Sequence, residues 1–143
     1  MSLNQKIAFV ILILTIIGFA DAAFLSTKVL LGQPVPCPIT GGCETVTNSQ
    51  YSRIGGVPVA VVGAIYYLGL IILALWYIDS VKLKVLRAIT IISGFGFLWT
   101  LYLTYLQAYM INAWCIYCLV SAATTTLILL TSLWLNRRLS NAG

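Results

Sequence analysis

The chain has 143 residues, of which 61% are hydrophobic and 8% charged, with a net charge of +5 and no histidine. That composition excludes an ordinary soluble domain and points to an integral membrane protein. Nucleic acid is excluded as a partner, because the basic residues flank apolar runs and form no soluble basic patch interleaved with polar and aromatic groups.

Ile7 to Leu31 is the first of four runs long enough to span a bilayer; crossing ~30 Å of hydrocarbon as a helix takes about 20 residues. The runs are continuous, where a barrel strand would alternate. Lys6, the apolar run and Ala20-Asp21-Ala22 also read as a signal peptide with a small-residue cleavage site. Apolar character resumes from Ala23 to Leu31, which favours a full span, and an intact Met1 in the purified protein settles the point. A carboxylate at the centre of a span costs about 2.5–3.5 kcal/mol on insertion scales, so Asp21 should face the bundle or a wet cavity. It either relays a proton and shapes a pocket, or bonds to a neighbouring helix. Lys28 is placed to snorkel to the interface.

The outer loop, residues 32–56, is the one sizeable polar stretch. Pro34, Pro36 and Pro38 stiffen its start, and Gly41-Gly42 predicts a turn ahead of Cys43. Glu44 to Tyr51 predicts a short half-helix, with Val46 and Tyr51 suited to lipid or to the bundle mouth. Gly55, Gly56 and Pro58 break the chain and open the second span, Val57 to Tyr77. A basic connector, Asp79 to Arg87, leads to the third span, Ala88 to Ile111. After a tight turn at Asn112 and Ala113 comes the fourth, Trp114 to Leu135. Trp76, Tyr77 and Trp134 mark an inner interface, and Tyr109, Trp114 and Tyr117 an outer one. Small residues such as Gly63, Gly69, Gly94 and Gly96 permit close helix packing. The predicted fold is an all-α membrane bundle of four helices, one domain over residues 1–143.

Lys6, Lys82, Lys84, Arg87, Arg137 and Arg138 flank helix ends on one side, with Lys28 and Arg53 on the other. This asymmetry puts both termini in the cytoplasm. The four cysteines then face outward from the cytoplasmic membrane, where disulfides form and persist.

Cys115 and Cys118 are spaced to put both sulfurs on one face of the first turn of a helix, within bridging reach. The free amides and positive dipole end of that helix favour a thiolate. Without histidine, an imidazole-activated thiol of the cysteine-protease kind is excluded. Direct attack of a thiolate on a disulfide remains available. Cys37 and Cys43 enclose Pro-Ile-Thr-Gly-Gly, a ring too short to be a strong entropic staple but suited to an exchangeable bond. Three pairings are possible, and proximity favours Cys37–Cys43 and Cys115–Cys118 at rest. Several alternatives stand beside this relay. Two structural disulfides in a non-catalytic scaffold are one, and a four-cysteine metal site another, which an oxidising compartment opposes. A carrier for a soft metal ion would need cysteines or methionines deep in the spans, where none stands. Trp99, Tyr102, Tyr105 and Tyr109 form an aromatic stripe that serves either packing or the wall of a pocket for a flat ring.

These residues resemble the bacterial and archaeal vitamin K epoxide reductase (VKOR) family over nearly the whole chain. The resemblance is carried by Gly18-Phe-Ala-Asp21 and by Cys37 to Cys43 with the following Glu-Thr-Val-Thr-Asn-Ser-Gln-Tyr-Ser. It continues with Gly56-Val-Pro58 leading to Gly63 and Tyr66, and with Trp114-Cys-Ile-Tyr-Cys118-Leu-Val-Ser-Ala. The DsbB family is also a four-helix, quinone-linked oxidase with two cysteine pairs, but there the C-x-x-C comes first; here it comes second. The resemblance implies a four-helix bundle around a quinone (menaquinone, ubiquinone or vitamin K-like) and a DsbA-like thioredoxin-fold partner that delivers electrons. It implies that Cys37 forms the mixed disulfide with the partner, that Cys43 then attacks Cys115, and that Cys118 lies against the quinone. Many relatives carry a fused thioredoxin-like domain; this chain ends at Gly143 without one, so a separate partner is expected. Where animal relatives place a tyrosine four residues after the second C-x-x-C cysteine stands Ala122, which bears against epoxide reduction. Asp21, Tyr66, Asn112 and Ala122 join Cys118 as expected cofactor-binding residues, and no metal is expected.

Overall fold

A computed structural model describes residues 2–34, 36, 41–42, 45, 48–50 and 53–142. Helix α1 (Leu3–Leu30) starts where Ser2 and Gln5 form a reciprocal capping box. The Ser2 hydroxyl takes the Gln5 N–H at 3.3 Å, and the Gln5 side chain takes the Ser2 N–H at 3.0 Å. After the loop comes a short hairpin, β1 (Arg53–Ile54) paired antiparallel with β2 (Val57–Pro58), in register Arg53 to Pro58 and Ile54 to Val57. Its turn is Gly55-Gly56, both with positive φ (58° and 87°), the conformation a two-residue hairpin loop requires. Helix α2 (Val59–Ser80) follows directly, then α3 (Leu83–Tyr105), which continues as a π-helical turn over Leu106–Ile111, and finally α4 (Ile116–Ala142).

Among the described residues, four helices are long and apolar enough to cross a membrane. They alternate in direction and pack as a ring, with α1 against α2 and α4, and α3 against α4. The α2–α3 seam is the thinnest of these contacts. The main core sits in the half of the bundle that holds the chain ends, built on Ile11, Leu70, Leu86, Ile89, Ile128 and Leu135. A smaller cluster around Leu25 and Cys115 packs the other end. Lys6, Lys82, Lys84, Arg87, Arg137 and Arg138 all fall at the first end, the C-x-x-C segment at the second.

Three expectations shift. The basic connector expected over Asp79 to Arg87 shrinks to residues 81–82, because α2 runs on to Ser80 and α3 already starts at Leu83. Lys84 and Arg87 end an apolar window, yet they are good helix formers and extend the helix beyond the hydrocarbon. The fourth helix likewise runs past Leu135 to Ala142. Tyr77 does not mark an interface: it is buried in the core, 3% exposed, whereas Trp76 and Trp134 do face outward.

Val81 ends α2 in the left-handed region (φ 52°) and donates its N–H to Tyr77 O at 2.7 Å. A β-branched residue is strained there, whereas asparagine tolerates the conformation. Val81→Asn is expected to stabilise the fold by about 1 kcal/mol, seen as a higher thermal unfolding temperature in detergent; an unchanged or lower temperature would contradict the strain.

Candidate functional site

The end of α3 and the start of α4 are shaped by one another. Asn112 closes the π-helical turn in the left-handed conformation (φ 58°), one that asparagine adopts more readily than most residues. The Ala113 N–H reaches back to Gln107 O at 3.2 Å. The chain then crosses to Cys115, which caps α4: its carbonyl accepts the first helical bond from Leu119 N–H at 3.1 Å. Its own N–H donates to Gln107 Oε1 at 3.0 Å. Cys115 is fully buried (0% exposed), and Cys118, three residues on, is partly buried. Both are free thiols, and the two side chains lie close enough to interact. The spacing read from sequence therefore does bring these sulfurs together.

Cys37 and Cys43 lie outside the described residues, as does half of the stretch expected as a half-helix over Glu44 to Tyr51. Their chain neighbours Pro36 and Gly42 are described, and both meet the C-x-x-C segment. The Tyr117 hydroxyl donates to Pro36 O at 2.7 Å. Gly42 is buried so closely on the Trp114 backbone that a Cβ there would lie 2.5 Å from Trp114 O and 2.8 Å from its N. Only glycine fits this approach without moving backbone.

Cys118 forms part of the wall of a cavity of about 490 Å³ that all four helices line, roofed by Ser49, Ile54 and Pro58. The wall is mainly apolar, with Leu25, Val59, Phe95 and Leu103 prominent. Its polar groups are few: Asp21 from α1, Tyr66 and Tyr67 from α2, Thr100, Thr104 and Gln107 from α3, and Cys118, Ser121 and Thr125 from α4. Tyr67 donates to Ser121 O at 2.8 Å and touches the Ser121 and Thr125 hydroxyls at 2.9 and 3.2 Å. Tyr66 meets Thr125 Oγ1 at 3.1 Å. The Tyr66 and Tyr67 hydroxyls are thus satisfied, which fixes the ring faces turned to the cavity.

Of the expected cofactor-binding residues, Cys118, Asp21 and Tyr66 share this wall. Asn112 and Ala122 are not among its lining residues. Asn112 is exposed and serves the helix end. Ala122 is a helical step of about 100° from Ser121, so it turns off the face that Cys118, Ser121 and Thr125 share; its carbonyl takes the Thr126 hydroxyl at 2.7 Å. The aromatic stripe also divides. Trp99 lines the cavity, while Tyr102, Tyr105 and Tyr109 are exposed on the outside. Gln107 escaped the sequence reading, although an uncharged polar residue eight positions before Cys115 in an apolar run was an available signal.

A bundle with, among the described residues, four helices long and apolar enough to cross a membrane, and with one thiol of a close pair in the wall of an apolar cavity, is the architecture of a membrane redox protein. The chain matches the Vitamin K epoxide reductase family over residues 9–133, and it belongs to that family. It is an oxidoreductase and a multi-pass membrane protein, of a family whose chemistry is quinone-linked disulfide oxidoreduction.

Proposed function

We propose that this chain is a thiol oxidase of the cytoplasmic membrane that re-oxidises a DsbA-like thioredoxin-fold partner and passes the electrons to a membrane quinone, so supporting disulfide formation in exported proteins. The observation that carries the reading is the position of Cys118 in the wall of the 490 Å³ cavity, beside Cys115, with Pro36 against Tyr117 and Gly42 against Trp114. The volume lies within the range of small-molecule sites, and an apolar wall with few convergent polar groups suits a flat lipid-soluble ring such as a menaquinone, ubiquinone or vitamin K-like quinone.

The proposed relay balances on the cysteines alone. A partner thiolate attacks Cys37 in the Cys37–Cys43 disulfide, giving a mixed disulfide and freeing the Cys43 thiolate. Cys43 attacks Cys115 in the Cys115–Cys118 disulfide and frees Cys118. The second partner thiol resolves the mixed disulfide, leaving the partner oxidised and Cys37 free. Cys37 then reclaims Cys43, and Cys115 and Cys118 are left as a dithiol. Their bond re-forms with loss of two electrons and two protons. A quinone bound in the cavity supplies the sink for both. The fully buried Cys115 is shielded from the thiols of other proteins, so only a loop thiol held at the bundle mouth or a small dithiol reaches the pair. Asp21 and Tyr66 bound the ring from α1 and α2.

The basic end of the bundle supports both termini in the cytoplasm and the cysteines outside. The test is anaerobic reduction of a short-chain quinone, followed by absorbance, for the four single Cys→Ser variants. With a reduced protein partner all four should fail; with a small dithiol the Cys37 and Cys43 variants should turn over while the Cys115 and Cys118 variants stay silent. Turnover by every variant with the protein partner would overturn the relay. Thiol labelling confined to the cytosolic side of intact cells would overturn the orientation.

A further inference from the structure

The geometry points to Gln107 as the hydrogen-bond donor that reads a carbonyl oxygen of the ligand in the cavity, an inference that rests on the quinone reading above. Gln107 sits in the π-helical turn that ends α3 and is 3% exposed. Its carboxamide oxygen accepts the Cys115 N–H at 3.0 Å. A backbone N–H can only donate, so this bond fixes which way the amide points, and the –NH₂ must turn away from Cys115.

That –NH₂ donates to no group among the described residues. Nor is it sealed in. The enclosed side-chain atoms without partners are Asn4 Oδ1, Tyr77 Oη and Asn136 Oδ1, all in the half of the bundle that holds the chain ends. Gln107 instead lines the cavity together with Cys118 and Asp21. A positioned amide donor on an apolar cavity wall is the kind of convergent polar group by which such sites select a ligand carbonyl.

The asymmetry of the wall strengthens the assignment. Tyr67 spends its hydroxyl proton on Ser121 O, and the Tyr66 hydroxyl is paired with Thr125 Oγ1. Gln107 is the amide donor of the wall, and it stands at the same end as the redox sulfur. One side chain therefore holds both the backbone of Cys115 and the ligand. Occupancy of the cavity and placement of the dithiol become linked through it.

The test uses the purified full chain in detergent, titrated with 2-methyl-1,4-naphthoquinone and read by quenching of tryptophan fluorescence, since Trp99 lines the cavity. The carbonyl-free analogue 2-methylnaphthalene is measured by competition. Gln107→Met removes both the donor and the acceptor. Gln107→Glu keeps an oxygen for the Cys115 N–H and removes the donor. Both variants should bind the naphthoquinone about tenfold more weakly and 2-methylnaphthalene as well as the parent does. Unchanged naphthoquinone affinity in both variants would overturn the assignment. So would equal loss of both ligands, which would make Gln107 a purely structural support. Failure of the parent protein to bind naphthoquinone at all would remove the quinone reading itself, and the assignment with it.

Discussion

Cys118→Ser is expected to reduce electron transfer from the reduced partner to a quinone to the uncatalysed background, a loss of at least about a thousandfold. Serine is close in size to cysteine, so the cavity wall should stand. Its hydroxyl neither closes a bond to Cys115 nor gives up an electron pair. The partly buried Cys118 is the thiol that faces the cavity, while Cys115 is enclosed and held from behind by Gln107. With Cys118 gone, Cys43 and Cys115 have no route to separation except back toward the loop. The Cys115 thiolate can still attack Cys43 in the Cys37–Cys43 disulfide and free the Cys37 thiol, so a Cys43–Cys115 disulfide should accumulate, visible as a faster-migrating species on non-reducing gels that is lost in the Cys43→Ser double variant. Full turnover by Cys118→Ser would exclude the role given to this sulfur.

The second large effect comes from helix packing and not from the thiols. Gly18 is buried against the Tyr67 ring: a Cβ there would stand 2.5 and 2.6 Å from Cζ and Cδ1, and closer still to Cε1. The ring has nowhere to go, because its hydroxyl is anchored on Ser121 and Thr125 of α4 and only 1% of the residue is exposed. Overpacking of this kind costs about 1–3 kcal/mol where neighbours can shift, and here a shift would also break a buried hydrogen bond. Gly18→Val should drastically lower the folded yield, or the unfolding temperature of what is recovered, by size-exclusion and thermal melts in detergent. Gly18→Val with Tyr67→Ala should recover part of the loss. A single Gly18→Val variant that melts like the parent would show that α1 and α2 do not approach this closely.

What the sequence disclosed follows from which features are local. The spans were legible because hydrocarbon demands continuous apolar runs, and the sulfur pair because Cys115 and Cys118 share one helical turn. Helix ends were less legible, since Lys82, Lys84 and Arg87 terminate hydropathy without terminating hydrogen bonding. The hairpin was announced by Gly55-Gly56 and read instead as a simple break. The cavity is a different matter. It gathers side chains from four helices, and no period along one helix tells which face meets it. Of the residues chosen by depth and side-chain type, Asp21 and Tyr66 lie on its wall and Asn112 does not; Ala122, chosen from the family resemblance, lies on another face. Gln107 carries no such mark: an uncharged amide in an apolar run shows neither charge nor reactivity, and its partner Cys115 lies eight residues on, across the turn.

Val62, Phe95 and Trp99 each line the cavity and are also exposed on the outer surface of the bundle, along the weakly packed α2–α3 seam. The compartment such an opening samples is the oily interior of the bilayer, not the water above it. Half-saturation of the site by a greasy acceptor is then governed by its mole fraction in the surrounding hydrocarbon. Diluting a reconstituted preparation with extra lipid should weaken apparent affinity as strongly as removing acceptor does, while diluting it with buffer should leave the rate per protein untouched.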